Sequence, residues 1–267
     1  MKQPMPITSA SVGIFHTEPE QKKRVEQLAH SLQLPVITDS AGYEFILSYR
    51  HNRLSLSRPN ESTQMGRVYV EFVQGAAGFR RKHTSRELLI RAMGLHQDRP
   101  PTVLDATGGM GKDSFLMASY GCRVHVLERN KIVASLLQDG LRRASEHQDT
   151  HDIVARIQLS IRDSLQYLLD IAREEKKYDI IYLDPMYPER NKSALVKKEM
   201  RMLQKLVGRE NDTVQLFTAA LSAARKRLIV KRPRTAPPLT DSTPSHSLTG
   251  KTTRFDVYLI QPLNKPD

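Results

Sequence analysis

Apolar residues recur along the whole chain, in two different rhythms. Up to about residue 95 they alternate in short runs. This alternation predicts strands over residues 11–16, 43–49, 53–57 and 67–73. A helical spacing predicts a helix over 18–34, ending before Pro35. Gly75 and Gly78 break the pattern, and a second helix is expected over 85–95 with Ser85 as its N-cap. This part reads as a smaller N-terminal α+β region.

After Pro100-Pro101 the rhythm changes. Short apolar runs predict strands over 102–105, 123–128, 157–161, 178–184, 228–231 and 255–260. Helical spacing falls between them, over 112–120, 131–145, 165–174, 194–207 and 213–225. Residues 233–253 are rich in Pro, Ser and Thr and read as a loop. Strands alternating with helices of about ten residues predict an α/β fold with a doubly wound, Rossmann-like parallel sheet. The expected division is therefore 1–95 and 96–267.

Composition narrows the class. The 267 residues are 39% hydrophobic and 26% charged, as in an ordinary soluble globular protein. No run of about 18 apolar residues suggests a membrane span. Residues 1–15 lack a basic segment followed by an apolar one, so no secretory signal is expected. A single cysteine, Cys122, excludes an internal disulfide and a multi-cysteine zinc site. A cytoplasmic protein without a metal is expected.

Charge adds a partner. With 41 Lys+Arg against 29 Asp+Glu, the net charge is +12. Residues 1–184 hold 25 basic and 22 acidic residues, and residues 185–234 hold 13 and 4. A solvated helix face would mix the signs, so this block suggests a polyanionic partner such as nucleic acid. A smaller run, Arg80-Arg81-Lys82-His83, reads either as basic surface or as a solvated linker.

Four features fall at the C-terminal ends of four predicted strands, where open α/β sheets bind ligands. The first is Asp105-Ala106-Thr107-Gly108-Gly109-Met110-Gly111-Lys112-Asp113, a strand end, a glycine turn and a helix start. It is a poor dinucleotide fingerprint, because Ser114 stands at the third glycine. It also fails as a phosphate-binding loop, because Asp113 stands where Ser or Thr must bind magnesium. The second is Glu128, which can accept bonds from two ribose hydroxyls or simply end a strand in water. The third is Asp163-Ser164, an acceptor for an adenine amine or a helix cap. The fourth is Asp184-Pro185-Met186-Tyr187-Pro188. It puts an acceptor for an amino group beside an aromatic able to stack on a base, on a turn stiffened by proline.

This order of features resembles the class I S-adenosylmethionine-dependent methyltransferases. Asp184-Pro185-Met186-Tyr187 resembles the Asp/Asn-Pro-Pro-Tyr/Phe motif of enzymes that methylate exocyclic amines of bases. Met186 departs from it, as Thr107 departs from the usual glycine motif. More closely, Leu183 to Pro188 with Lys192 to Arg201, Val230-Lys231-Arg232-Pro233, Ala236 to Leu239 and Arg254-Phe255-Asp256 are similar to one family. It is the bacterial guanine-N2 methyltransferases that act on one guanosine near the 3′ end of 16S rRNA.

The resemblance implies a role for each residue. Asp105, Gly109, Gly111, Lys112 and Asp113 would contact the cofactor, S-adenosyl-L-methionine. Glu128 and Arg129 would bracket its ribose, and Asp163 and Ser164 its adenine. Asp184 would lie between cofactor and base. It would accept one N–H of the amine, with the Pro185 carbonyl accepting the other and Tyr187 stacking on the ring. Lys192, Lys197, Lys198, Arg201, Lys231 and Arg232 would hold the backbone of 16S rRNA or the small ribosomal subunit. Lys197 and Lys198 also read as the solvated face of their helix. The site residues alone do not separate guanine from adenine or cytosine as target. An NAD-dependent oxidoreductase would need a third glycine, and a non-catalytic RNA-binding module would leave the Asp-Pro motif without a purpose.

Overall fold

The computed structural model describes residues 11–16, 18–59, 66–74, 87–94, 100–173, 178–186, 194–208 and 212–260, with the backbone alone at 16, 173 and 194–200. The chain packs as two units, neither continuous in sequence. One comprises Met1–Val70, Asn130–Arg143 and Glu189–Arg209; the other comprises Glu71–Arg129, Ala144–Pro188 and Glu210–Asp267. A single boundary between 95 and 96 does not describe this packing, because two later segments join the N-terminal residues.

In the first unit, β1 (Val12–His16) pairs in parallel with β2 (Val36–Ile37) and β3 (Phe45–Arg50). β3 turns into β4 (Arg53–Ser57), giving the order β2-β1-β3-β4. The turn residues His51 and Asn52 both have positive φ, 48° and 59°. Two left-handed residues suit a tight hairpin, because their twist matches that of the strands. Helix α1 (Lys22–Leu32) links β1 to β2 and buries Val25 and Ala29. It starts later than expected, after a short 3₁₀ turn at Pro19–Gln21, and ends where Gln33 takes a φ of 55°. The expected strand over 67–73 is reduced to one bridge, Leu56 to Val68. The two-residue β2 was too short for the alternation to show.

The segment 130–143 is anchored to this unit by one buried carboxylate. Asp139, 3% exposed, accepts from the Leu54 backbone N–H at 3.0 Å and from Arg143 Nε at 2.9 Å. Arg142 and Arg24 donate to its other oxygen at 3.2 and 3.3 Å. Arg143 also donates to the Val70 carbonyl.

The second unit holds a seven-stranded sheet of order β10-β11-β9-β8-β5-β6-β7. β5 (Thr102–Asp105), β6 (Arg123–Leu127), β7 (Ile157–Ser160), β8 (Ile180–Leu183) and β9 (Arg227–Pro233) run parallel. β11 (Thr253–Leu259) and β10 (His246–Thr249) close one edge antiparallel. The expected loop over 233–253 therefore contains a strand: its polar residues hid β10, which buries little. Helices α2 (Leu88–Met93), α3 (Lys112–Ser119), α4 (Lys131–Ser145), α5 (His151–Val154), α6 (Ser164–Arg173), α7 (Ala194–Val207) and α8 (Thr213–Ala223) complete the order along the chain. The Ser85 cap expected before α2 lies outside the described residues.

Alternation sorts the strand residues of this sheet. Leu104, Ile181, Leu183, Leu228 and Val230 join Leu168 and Ile171 of α6 and Leu216 and Phe217 of α8 in one buried cluster. Their neighbours Asp105, Tyr182 and Lys231 point to the opposite face, as a period of two requires. α3 carries Phe115, which stacks on Phe72 with ring centroids 4.4 Å apart. The strand order reverses around β5, so the C-terminal ends of β5, β6 and β8 border the crevice where such sheets bind ligands.

The Asp139 anchor gives a stability prediction. Removing a buried carboxylate leaves its cationic partners uncompensated, at a cost of about 3–5 kcal/mol. D139A should lose stability on that scale in urea unfolding followed by circular dichroism, and D139N less, because it still accepts from Leu54. A loss below about 1 kcal/mol in D139A would remove the anchor from this account.

Candidate active site

β5 ends at Asp105, and the chain turns at once. The Thr107 N–H donates to Asp105 Oδ1 at 3.1 Å, and the Ser114 hydroxyl donates to the other oxygen. Gly109 and Gly111 have φ of 52° and 69°, a region that side chains disfavour. The Gly108 N–H reaches the Leu127 carbonyl at 2.9 Å, which holds the turn against the end of β6. The Gly109 N–H donates to Glu128 Oε2 at 2.8 Å. Glu128, the first residue after β6, is thus tied to the glycine turn.

Four polar side chains from three elements and one strand end meet on the same face. Lys231 Nζ of β9 donates to Asp113 Oδ2 of α3 and to Asp184 Oδ2, each at 2.7 Å. The Tyr182 hydroxyl of β8 donates to Asp113 Oδ2 at 2.7 Å. The Asp184 N–H donates to the Thr107 hydroxyl at 2.6 Å, joining the residue after β8 to the residue before the glycines. Asp184 is the most accessible member, with 39% of its side chain exposed against 12% for Asp113. Pro185 is buried behind it.

Charge in this cluster follows from burial and proximity. Asp105 is buried, and the loss of water pushes its carboxyl up to about 7 against the bonds from Ser114 and Thr107. Burial would lower the Lys231 ammonium, but Asp184 and Asp113 overcome it and hold it well above its ordinary value. Tyr182 is raised by burial and by the carboxylates of Asp113, Asp184 and Asp105. Lys231 is therefore a permanent cation, and an ammonium at 2.7 Å favours the charged form of a carboxylate.

On the far side of the turn, Arg129 Nη1 lies 2.8 Å from Asp212 Oδ2 and 3.9 Å from Asp163 Oδ2. Asp163 Oδ1 accepts from the Gln166 N–H at 3.0 Å, so it caps α6. The capping considered for Ser164 belongs to Asp163, one residue earlier, and Ser164 is buried. Lys112 is exposed at the start of α3.

The expected RNA contacts fare differently. Lys231 is not a surface cation, because the two carboxylates hold it in the site. Arg232 is 4% exposed and donates to the Pro237 carbonyl at 2.8 Å, so it is not on an RNA-facing surface either. Arg201 is exposed. Tyr187, Lys192 and the Arg80-Arg81-Lys82-His83 run lie outside the described residues, as do the side chains of Lys197 and Lys198. Sequence reasoning passed over Thr107, Ser114 and Tyr182 as site residues. Two of them were noted only as departures from motifs. Tyr182 had a signal in its alternation with Asp184.

The family described as "Putative SAM-dependent methyltransferase" matches residues 27–260. A protein of Thioalkalivibrio sulfidiphilus named ribosomal RNA small subunit methyltransferase J is 42% identical over 255 residues, covering 95% of this chain and 99% of that protein. The chain belongs to the SAM-dependent methyltransferase family. Proteins of the same name from Coxiella burnetii and Colwellia psychrerythraea are 40% and 45% identical, over 94% and 84% of this chain and 98% and 81% of theirs. The crystal structure of a SAM-dependent methyltransferase from Neisseria gonorrhoeae shares 36% identity at a TM-score of 0.73, covering 92% of this chain and 95% of that one. Members of the SAM-dependent methyltransferase family use S-adenosylmethionine, which carries hydroxyls, amines and a carboxylate. The acceptors Glu128 and Asp163 and the left-handed glycine turn suit such a ligand in donor and acceptor chemistry.

The raised Asp105 carboxyl sets a pH dependence. Its ordinary value is 3.8 and its folded value about 7, so between the two the folded state holds a proton that the unfolded state releases. Its contribution is therefore full below the lower value and is lost as pH rises through the upper one. Melting temperatures from pH 4 to pH 8 should fall more steeply in wild type than in D105N, whose amide stays neutral. Parallel curves would show that Asp105 does not titrate in this window.

Proposed function

We propose that the protein methylates the exocyclic N2 amine of a guanosine near the 3′ end of 16S rRNA, in the cytoplasm, on rRNA or the small ribosomal subunit. The observation that carries this reading is the accessible Asp184 carboxylate at the end of β8, held by the Lys231 ammonium and followed by a buried proline. The names of the relatives support small-subunit rRNA as the substrate, and the resemblance of the Asp-Pro-Met-Tyr region supports guanine N2.

S-adenosylmethionine, when bound, supplies a methyl group on a sulfonium, already electrophilic. Gly109, Gly111, Lys112, Glu128, Arg129, Asp163 and Ser164 would hold it along the crevice. The chain's remaining task is orientation. The lone pair of a guanine amine is delocalised into the ring, so the amine is a poor nucleophile. Asp184 Oδ accepts one N–H and the Pro185 carbonyl the other, which aims the lone pair at the methyl. Positioning of this kind can lower a barrier by about 7–11 kcal/mol. Asp105 and Thr107 fix the turn on which that alignment rests.

The charge state of Asp184 also bears on the base. An ionised carboxylate only accepts hydrogen bonds. Guanine offers two adjacent donors, N1–H and N2–H, on one edge. A guanine inside a helix must first be turned out of its stack, at a cost of a few kcal/mol.

The test uses labelled S-adenosylmethionine with small subunits, naked rRNA and DNA in separate reactions, followed by nucleoside analysis. N2-methylguanosine in 16S rRNA is expected, and label in adenine, in DNA or in no RNA would overturn the reading. D184A should bind the cofactor with near wild-type affinity in calorimetry and transfer no methyl. E128A should do the reverse, weakening cofactor binding by about 10-fold or more, as expected for a lost bond to a charged acceptor.

A further inference from the structure

Lys231 was expected to hold RNA, and the structure gives it a different place. Its side chain is 27% exposed, and its one nitrogen lies 2.7 Å from two carboxylates on different elements. Asp184 faces the crevice, and Asp113 is nearly buried in the first turn of α3, next to the glycine turn. We propose that Lys231 is a positioning residue, whose ammonium fixes the orientation and charge of the Asp184 carboxylate and ties it to the helix that begins at the cofactor turn. The inference rests on the methyltransferase reading above and adds to it the group that holds the acceptor in place.

The argument is geometric first. Asp184 leaves β8 with its backbone secured by Thr107, but its side chain is 39% exposed. An exposed carboxylate samples several rotamers. A bond from a half-buried donor held on its other side selects one. Lys231 can supply that bond because β9 pairs with β8 in parallel, Leu183 opposite Val230, so the next residues on each strand fall side by side. Asp113 holds the ammonium from the other side and is itself held by Tyr182. The result is a chain of contacts from Tyr182 through Asp113 and Lys231 to Asp184.

Among the described residues, groups from four elements surround Asp184. Lys231 comes from β9, Asp113 from α3, Asp105 and Tyr182 from β5 and β8. Lys231 is the ammonium bonded to both Asp113 and Asp184, so it offsets their charge directly. Because it stays protonated, it does not take the proton that the amine loses; that proton passes to water. Lys231 acts on the reaction only through Asp184.

The test compares wild type, K231M, K231Q and K231R as full-length proteins, with small subunits as substrate. K231M should lower kcat by about 10²-fold, the scale of a small misplacement in a reacting pair. Its affinity for S-adenosylmethionine in calorimetry and for RNA should stay near wild type, with the same salt dependence. The acid limb of its kcat–pH profile should move to higher pH, because the acceptor has lost its cation. K231Q keeps a donor, one bond shorter and without the charge, and gives the same shift should K231M fail to fold. K231R should recover most of the rate. If K231M and K231Q keep the wild-type kcat and acid limb, the proposal is wrong. It is equally wrong if RNA affinity drops, its salt slope falls by about one and kcat at saturating RNA holds, since Lys231 then contacts a phosphate. Absence of transfer by wild type itself would overturn the methyltransferase reading, and this proposal with it.

Discussion

One ammonium between two carboxylates sets the constraint on the rest of the site. Lys231 reaches Asp113 and Asp184 only if β9, β8 and α3 are each in their observed register. Strand side chains alternate, so a slip of one residue would turn Lys231 to the opposite face and bring Arg232 inward. The neighbours show this alternation directly. Lys231 joins the acids on one face, while Arg232 is buried on the other and bonds to Pro237. Hydrophobic burial fixes the register: Ile181, Leu183, Leu228 and Val230 must all enter the same core cluster. The apolar half of each strand thus decides where its polar half stands.

The electrostatics of the site follow from this placement. Among the described residues, the carboxylates Asp105, Asp113 and Asp184 share one region with Lys231. Water is scarce at Asp105, and its two acidic neighbours add to the effect of burial in pushing its carboxyl up to about 7. Asp113 and Asp184 instead take the cation. The structure divides the acids by role: Asp105 closes the turn through Ser114 and Thr107, and Asp184 faces the crevice. Burying charge in this way costs stability unless every partner is present.

The features visible in the sequence were those with local patterns. The parallel strands were legible because each is a short apolar run bounded by turns, and their C-terminal ends located Asp105, Glu128, Asp163 and Asp184. The glycine turn was legible because Gly109 and Gly111 must sit where φ is positive. The ion pairs of Lys231 were not legible because its partners lie 118 and 47 residues away. Ser114 and Thr107 were noted as failures of known motifs, yet they bond to Asp105 and Asp184. A motif states which residues are usual, and the departures here are polar side chains with their own hydrogen bonds. β10 escaped because its face buries almost nothing. The division into 1–95 and 96–267 missed that Asp139 draws its helix to the N-terminal residues through partners 85 and 115 positions distant.

The charge count shows the same limit. Counting cations by segment assumes that neighbours in sequence share a surface. Within residues 185–234 that assumption fails three ways. Lys231 is held by two acids and Arg232 is buried. Lys205 pairs with Glu44 and Lys226 with Asp179. Arg201 belongs to one unit, and Arg225 and Arg234 to the other. Affinity for a polyanion depends on phosphates neutralised by cations that can reach them, not on net charge along a segment. A cation already paired with a carboxylate adds less, because binding must break one ion pair to form another. Arg201, Arg225 and Arg234 are exposed and so more available to a polyanion than Lys231, already paired with two acids, and Arg232, buried against Pro237.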